Sequence, residues 1–262
     1  MMGKCWVSDL KGKLCEGAAA PCAAEFRGVS KSFSGTTALR NFSLRIDSGG
    51  IYALLGANGA GKTTAMKMLA GLMSPDMGEI EVLGRSVIEE PQAVKAQVAY
   101  LPDEPLLYPL LRPLEHLEYV AALWNMPSAA AAARAEDLLR WLELWEYRGK
   151  RIETFSRGMK QKLALAAGVL HDPSVILMDE PLTGLDVMAM RVFRDFINDF
   201  VRTGRTVILT SHLLDVVEKM DAKVGFIKGG RLVSEGRMAE LRTEFRQTHL
   251  EDVFLSVLED RR

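Results

Sequence analysis

One octapeptide limits what this chain can become. Gly56-Ala57-Asn58-Gly59-Ala60-Gly61-Lys62-Thr63 fits the pattern G-x-x-x-x-G-K-[ST] at every fixed position. Before it lies Ile51-Tyr52-Ala53-Leu54-Leu55, an uncharged apolar run that reads as a buried strand of a parallel sheet. After it, Thr63, Thr64, Ala65, Met66, Lys67, Met68, Leu69 and Ala70 read as a helix. A glycine-rich turn between a buried strand and a helix is the setting in which this motif cradles phosphate. Gly56, Gly59 and Gly61 permit backbone conformations that a Cβ would forbid. The amides of the loop, those of Ala57, Asn58 and Ala60 included, can then turn inward. The helix start at Thr63 and Thr64 adds orphan N–H groups and a partial positive charge. Lys62 supplies a full charge for the β- and γ-phosphates, and the Thr63 hydroxyl is placed to ligate magnesium.

A second run, Ser174-Val175-Ile176-Leu177-Met178-Asp179-Glu180, is apolar and ends in two carboxylates. Val175 to Met178 reads as another buried strand, closed by Asp179. A carboxylate at a strand end beside a phosphate loop can hold magnesium or its waters. Strand alternation turns successive side chains to opposite sides, so Asp179 and Glu180 are expected to take different roles. Glu180 is the candidate that polarises the attacking water. Asp-Glu-Pro alone also suits a turn, but beside a complete phosphate loop the metal and water reading prevails. The two stretches describe a chain that binds a nucleoside triphosphate with Mg2+ and hydrolyses it.

Further motifs follow in order, and with them the sequence resembles the ATP-binding subunit of an ABC transporter, from about Phe26 to the C-terminus. Phe155-Ser156-Arg157-Gly158-Met159-Lys160-Gln161-Lys162 resembles the family signature, usually Leu-Ser-Gly-Gly-Gln. Leu182-Thr183-Gly184-Leu185-Asp186 resembles the D-loop, and Thr210-Ser211-His212 the switch-histidine segment. Tyr100-Leu101-Pro102-Asp103 stands where the family has its Q-loop, and Phe33 matches the aromatic that stacks on adenine. The resemblance implies ATP as the nucleotide, with Phe33, Asp103, Ser156, Gly158 and Asp186 at its binding site and His212 at its γ-phosphate. The residues also allow plainer roles. Ser156 can cap a helix from Arg157 to about Leu170, whose start would itself favour an anion. Gly158 keeps the turn there possible. Taken alone, Phe33 reads as core and His212 as structural.

Two motifs depart from the family pattern. Asp103 replaces the usual Gln; it is shorter and charged, and could still reach magnesium through water. Arg157 replaces the first signature glycine and Met159 the usual Gln. Arg157 could reach phosphate or point to a partner subunit, and the sequence leaves both open. Lys62, Asp179, Glu180 and His212 are all in place, so an active ATPase is expected.

Charge and composition narrow the setting. The 33 basic and 34 acidic residues leave a formal charge of −1, which argues against non-specific nucleic-acid binding, and no nucleic-acid partner is expected. No apolar run approaches the ~18 residues that span a bilayer. Lys4, Asp9, Lys11 and Lys13 break up the N-terminus, so no secretion signal is expected. The spacing of Cys5, Cys15 and Cys22 fits no zinc template. Residues 1–24 are expected to form a disordered extension, with the ATP-binding domain over 25–262.

The expected fold is α/β: a P-loop NTPase core with a mixed central sheet, an antiparallel β subdomain and an inserted helical subdomain at about 103–170. Phe26 to Phe33 and Ala38 to Ile46 read as antiparallel strands joined at Ser34-Gly35, and Gly78 to Val82 as a third strand. Strands near Ile51, Val98, Val175 and Val207 form the central sheet. Leu138, Trp141, Leu142 and Trp145 make one apolar helix face, with Ser128 as the N-cap. Val224 to Ile227, Arg231 to Val233 and a helix from Leu250 to Leu258 complete the chain.

One phosphate loop and one signature per chain imply, through the resemblance, a homodimer or a heterodimer with a second ATP-binding subunit, enclosing ATP. Separate transmembrane permease subunits would carry the cargo, with this chain cytoplasmic and peripheral on the inner face of the cell membrane. Tyr100-Leu101-Pro102, the Met-Lys-Gln form of the signature and Leu250-Glu251-Asp252-Val253-Phe254 look most like ATPases of ABC-2-type exporters. A soluble ABC-type ATPase of assembly or translation usually carries two such domains, and a repair ATPase a long coiled coil between loop and signature. A GTPase would carry Asn-Lys-x-Asp, which does not occur. A non-hydrolysing regulatory partner is the remaining alternative.

Overall fold

A computed structural model of the chain describes residues 21–247 and 249–259. Strand β1 (Cys22–Phe33) turns into β2 (Thr36–Asp47). Ser34 and Gly35 both take left-handed φ (46° and 85°), the backbone that a two-residue hairpin turn requires. Toward its end β2 alternates strictly: Phe42, Leu44 and Ile46 are buried, and Ser43, Arg45 and Asp47 exposed. One face of the hairpin therefore seeks a core. The first strand starts at Cys22 rather than Phe26, with Ala23 and Ala24 buried, so the disorder expected to reach Ala24 does not hold for Cys22–Ala24. Cys5, Cys15 and the rest of 1–20 lie outside the described residues.

After β3 (Ile51–Leu55) comes α1 (Lys62–Leu69), beginning one residue earlier than expected. Strands β4 (Met77–Val82) and β5 (Arg85–Ser86) join the hairpin in an antiparallel sheet of order β2-β1-β4-β5. The short α2 (Pro91–Lys95) leads to β6 (Val98–Leu101). The chain then runs through α3 (Pro113–Leu123), α4 (Ser128–Trp141) and α5 (Arg157–Val169). It returns to the sheet as β7 (Val175–Asp179), α6 (Val187–Arg202), β8 (Thr206–Ser211) and α7 (Leu214–Glu218). Strands β9 (Ala222–Lys228) and β10 (Arg231–Arg237) and helices α8 (Met238–Phe245) and α9 (Leu250–Glu259) close the chain.

The second sheet has order β10-β9-β3-β8-β7-β6, parallel except for the antiparallel edge strand β10. This is the mixed central sheet expected, with β3 at its middle. All five residues of β3 are buried, because both sheet faces are covered. Ile51, Ala53 and Leu55 point into a core shared with α3 to α6. Tyr52 and Leu54 point into a second core, shared with α1 and the antiparallel sheet. Strand alternation thus makes one five-residue segment the floor of two cores.

Two local expectations need correction. Ser128 is the first residue of α4; Pro127 holds the cap position, and no side chain caps that helix. Leu138, Trp141 and Leu142 keep the apolar face, but α4 stops at Trp141 and Trp145 lies in a separate 3₁₀ turn. The indole of Trp145 faces the guanidinium groups of Arg140 (4.3 Å) and Arg148 (4.4 Å), a cation–π arrangement that holds it at the surface.

The approach of β9 to β3 depends on a missing side chain. A Cβ on Gly225 would collide with the Tyr52 hydroxyl, which donates to Glu235 Oε2 at 3.2 Å. Gly225→Ala is expected to lower stability by about 1–3 kcal/mol through overpacking. Tyr52→Phe removes the colliding oxygen, so the double variant should be less destabilised than the sum of the two singles. Denaturant melts of the four proteins measure this; strict additivity would refute the packing account.

Candidate functional site

The parallel register carries three segments to one edge. Leu55 lies opposite Ser211, and Asp179 opposite Thr210. The residues that follow these strands, Gly56, Glu180 and His212, therefore emerge together at the carboxyl ends of the sheet, where parallel sheets bind ligands.

Each glycine of the phosphate loop is needed, for two different reasons. Gly59 and Gly61 take left-handed φ (76° and 111°), as expected. Gly56 does not; its reason is room, since a Cβ would stand 2.5 Å from the Ile227 carbonyl oxygen. The loop closes on itself through Ala60 N to Ala57 O (3.1 Å) and is tied to the β9–β10 turn through Gly230 N to Ala60 O (3.0 Å). Gly61 holds the cap position of α1 without a side chain, and no acid lies in the first turn. The helix start at Lys62, Thr63 and Thr64 thus keeps its N–H groups for an anion. Asn58 is exposed at the tip of the loop and Thr63 at the first turn, while Thr64 is half-buried.

Lys62 is buried, and its Nζ donates to the carbonyls of Gly56 (2.8 Å) and Ala57 (3.3 Å). The ammonium stands 3.6 Å from Glu180 Oε1. The other oxygen, Oε2, pairs with His212 Nδ1 at 2.7 Å and accepts from the His212 amide (3.2 Å) and the Thr183 hydroxyl (3.3 Å). A lysine that opens α1, and a glutamate and a histidine that follow β7 and β8, thus form one connected chain. Glu180 lies just past β7 with φ of 50°, a backbone that costs a non-glycine residue about 1–2 kcal/mol. The two acids do diverge, but this left-handed turn parts them rather than strand alternation.

Asp179 is buried at the end of β7 and accepts a 2.6 Å hydrogen bond from Thr210 Oγ1. The same hydroxyl accepts from Glu180 N at 3.0 Å. Thr210 therefore orients both acids, a role the sequence reading missed. Its signal was available: a hydroxyl inside the buried run Thr206–Ser211 must find a partner. Beside it, burial and the Asp179 carboxylate push the Tyr100 phenol well above its usual range.

The Thr63 hydroxyl and the Asp179 carboxylate come from α1 and β7, which pack together. They are hard oxygen donors, the kind magnesium takes alongside phosphate oxygens and water. Among the described residues no group of three or more His, Cys, Asp or Glu could hold a metal ion by itself, so an ion here would draw on phosphate and water as well. The donor set fits Mg2+.

Gly56, Ala57, Asn58, Ser211, His212 and Phe254 border a cavity of about 220 Å³. Leu214 borders it too, and neither it nor Phe254, from α9, was placed here by sequence reasoning; the Phe254 ring also lies 5.9 Å from that of Phe226 on β9. Phe33 is half-exposed at the end of β1, with Lys31 Nζ 5.6 Å from its ring centre. It presents an open aromatic face rather than core packing.

The signature residues form a second group. Ser156 caps α5 by accepting from Met159 N at 3.3 Å. Gly158 lies inside α5, and its part is close packing rather than a turn: a Cβ would meet the Ala189 Cβ at 3.3 Å. Asp186 caps α6 by accepting from Ala189 N at 2.7 Å. The Asp103 carboxylate, expected near the metal, pairs instead with Arg157 (3.1 Å), and its backbone carbonyl accepts from Gln161 Nε2 at 2.8 Å.

The sequence profile of the family described as ABC transporter matches residues 39–183. The ABC transporter ATP-binding protein NatA of Bacillus subtilis is 35% identical over 238 residues, which is 90% of this chain and 96% of that one. The daunorubicin resistance ATP-binding protein DrrA3 of Streptomyces coeruleorubidus is 34% identical over 83% of this chain and 69% of its own length. Among solved structures, an ATP-binding subunit of an ABC transporter superposes with a TM-score of 0.83 at 30% identity, covering 90% of this chain and all of that one. A dimeric ATP-binding cassette in a post-hydrolysis state with ADP and Pi superposes at 0.73 with 22% identity, covering 82% of this chain and 98% of its own, a likeness of fold.

Thr210→Val keeps the shape of the side chain and removes the bridge between the two acids. ATP turnover is expected to fall about 10- to 100-fold, the usual cost of losing a group that orients a metal ligand. Steady-state hydrolysis across a magnesium titration measures it, and an unchanged rate would remove Thr210 from the site.

Proposed function

The chain belongs to the ABC transporter family as an ATP-binding subunit, and on that footing we propose how its residues divide the work of ATP hydrolysis and to what that work is coupled. ATP lies along the phosphate loop, its phosphates on the amides of residues 56–64 and on the start of α1. Lys62 exchanges its bonds to the Gly56 and Ala57 carbonyls for the β- and γ-phosphate oxygens. Thr63 and Asp179 hold magnesium, while the Asp103 carboxylate stays with Arg157. When bound, that ion supplies positive charge against the developing negative charge of the transferred phosphoryl group. Glu180 accepts the proton of the attacking water. His212, seated on Glu180 Oε2, fixes that carboxylate and meets the γ-phosphate. The exposed face of Phe33 stacks on adenine.

Ser156 and Gly158 stand at the start of α5, in a group of their own. They serve the nucleotide held by a second subunit, so two copies, or this chain and a related one, enclose ATP between them. Asp186 lines the same interface from the start of α6. Closing on ATP and reopening after hydrolysis move separate membrane-spanning permease subunits. The chain works on the inner face of the cell membrane; among its described residues no helix is long and apolar enough to cross a bilayer. The helical subdomain at about 103–170 faces those subunits, and exposed Leu106, Tyr108 and Leu110 support that placement. Export as the direction is supported by relatives named for drug resistance and for Nod factor export.

The observation that carries the reading is the Lys62–Glu180–His212 chain, which joins the start of α1 to the carboxyl ends of β7 and β8. Glu180→Gln keeps the shape and removes the base. Turnover is expected to fall about 10²- to 10⁴-fold. ATP should then hold the variant as a dimer in gel filtration, whereas Lys62→Ala should neither bind ATP nor dimerise. Wild-type protein, purified with its membrane partner, that hydrolysed no ATP would sink the reading.

A further inference from the structure

Two of the positions at which the sequence departs from the family pattern, Asp103 and Arg157, are partners of each other. Arg157 Nη2 lies 3.1 Å from Asp103 Oδ1. Gln161, one turn further along α5 and 1% exposed, holds the Asp103 backbone carbonyl at 2.8 Å. Asp103 stands just after β6, where the chain leaves the sheet; Arg157 opens α5, where the chain comes back. The pair therefore closes the neck of the whole helical segment. On its other side the Arg157 side chain runs along Gly184, where a Cβ would approach its Nε to 3.2 Å. Gly158 seats the same helix start on Ala189 of α6. The loop after β6, the start of α5 and the turn before α6 all meet at this one guanidinium, next to Ser156.

We propose that Arg157 is a positioning residue of the ATPase: clasped to Asp103, it fixes Ser156 relative to the loop 104–112. Displacement of that loop, which carries exposed Leu106, Tyr108 and Leu110, is then passed to the signature serine. This rests on the ATPase reading above, and it gives Arg157 a role other than contact with phosphate. Both charged side chains are half-exposed, so the pair adds little to overall stability and is screened by salt. A bias of that size shifts a conformational equilibrium a few-fold rather than abolishing it.

Arg157→Ala should raise the KM for ATP about two- to fivefold, with kcat changed less. The exchanged pair Asp103→Arg with Arg157→Asp should recover most of that loss, while each single reversal should not. Arg157→Lys should recover part of it, keeping the charge without the planar fork. Raising ionic strength from roughly 0.05 M to roughly 0.5 M shortens the screening length about threefold and should close the KM gap between wild type and Arg157→Ala. Amide hydrogen exchange over 104–112, which needs no turnover, should quicken in Arg157→Ala and slow again in the exchanged pair. Were the exchanged pair no better than the single reversals, Arg157 would act on phosphate directly and the clasp would be overturned. A wild type without turnover would sink the ATPase reading alone, and the exchange rates would still judge the clasp.

Discussion

A positive charge taken out of water must be answered by negative charge or dipoles, and in this protein the charge is the Lys62 ammonium. Two carbonyls of its own loop and the Glu180 carboxylate answer it. That carboxylate is in turn held by His212 and Thr183, and its neighbour Asp179 by Thr210. Three strand ends are bound into one electrostatic unit. The sheet register makes this possible, since a slip of one residue between β7 and β8 would set Thr210 on the other face.

The two groups of site residues share a chemistry despite their separation. α1 begins at the first group and α5 and α6 at the second, each with the partial positive charge of a helix start. Ser156 and Asp186 close two of these starts with their own side chains. Gly61 leaves the third without one, and that start follows the phosphate loop. On the reading proposed above, the uncapped start holds an anion of its own subunit and the two capped starts face a second one.

Much of this was legible in the chain itself. β3, β7 and β8 were plain because strands buried on both faces are unbroken apolar runs, and the β1–β2 hairpin because Ser34-Gly35 suits its turn. The Ser156 cap followed from residue type. What escaped depends on tertiary context. The left-handed φ of Glu180 leaves no local mark, since glutamate is a poor choice for it; the hydrogen bonds around the residue over-determine it. The bridge made by Thr210 needs two strands in register. Ser128 had the right chemistry for a cap, but Pro127 before it, with its fixed φ, took that position. Trp145 fitted a helical spacing, yet α4 ends at Trp141 and Glu143, in between, takes a left-handed φ of 59°.

The position of β3 bears on how the molecule comes to be made. Both of its neighbours, β8 and β9, belong to the last third of the chain: Ile51 pairs with Val207 on one side and Ala222 on the other. During synthesis this apolar strand leaves the ribosome long before either neighbour exists, and parallel pairings so distant along the chain form slowly. The segment that gives the protein its chemistry therefore waits longest for shelter, and a newly made chain is most open to aggregation there.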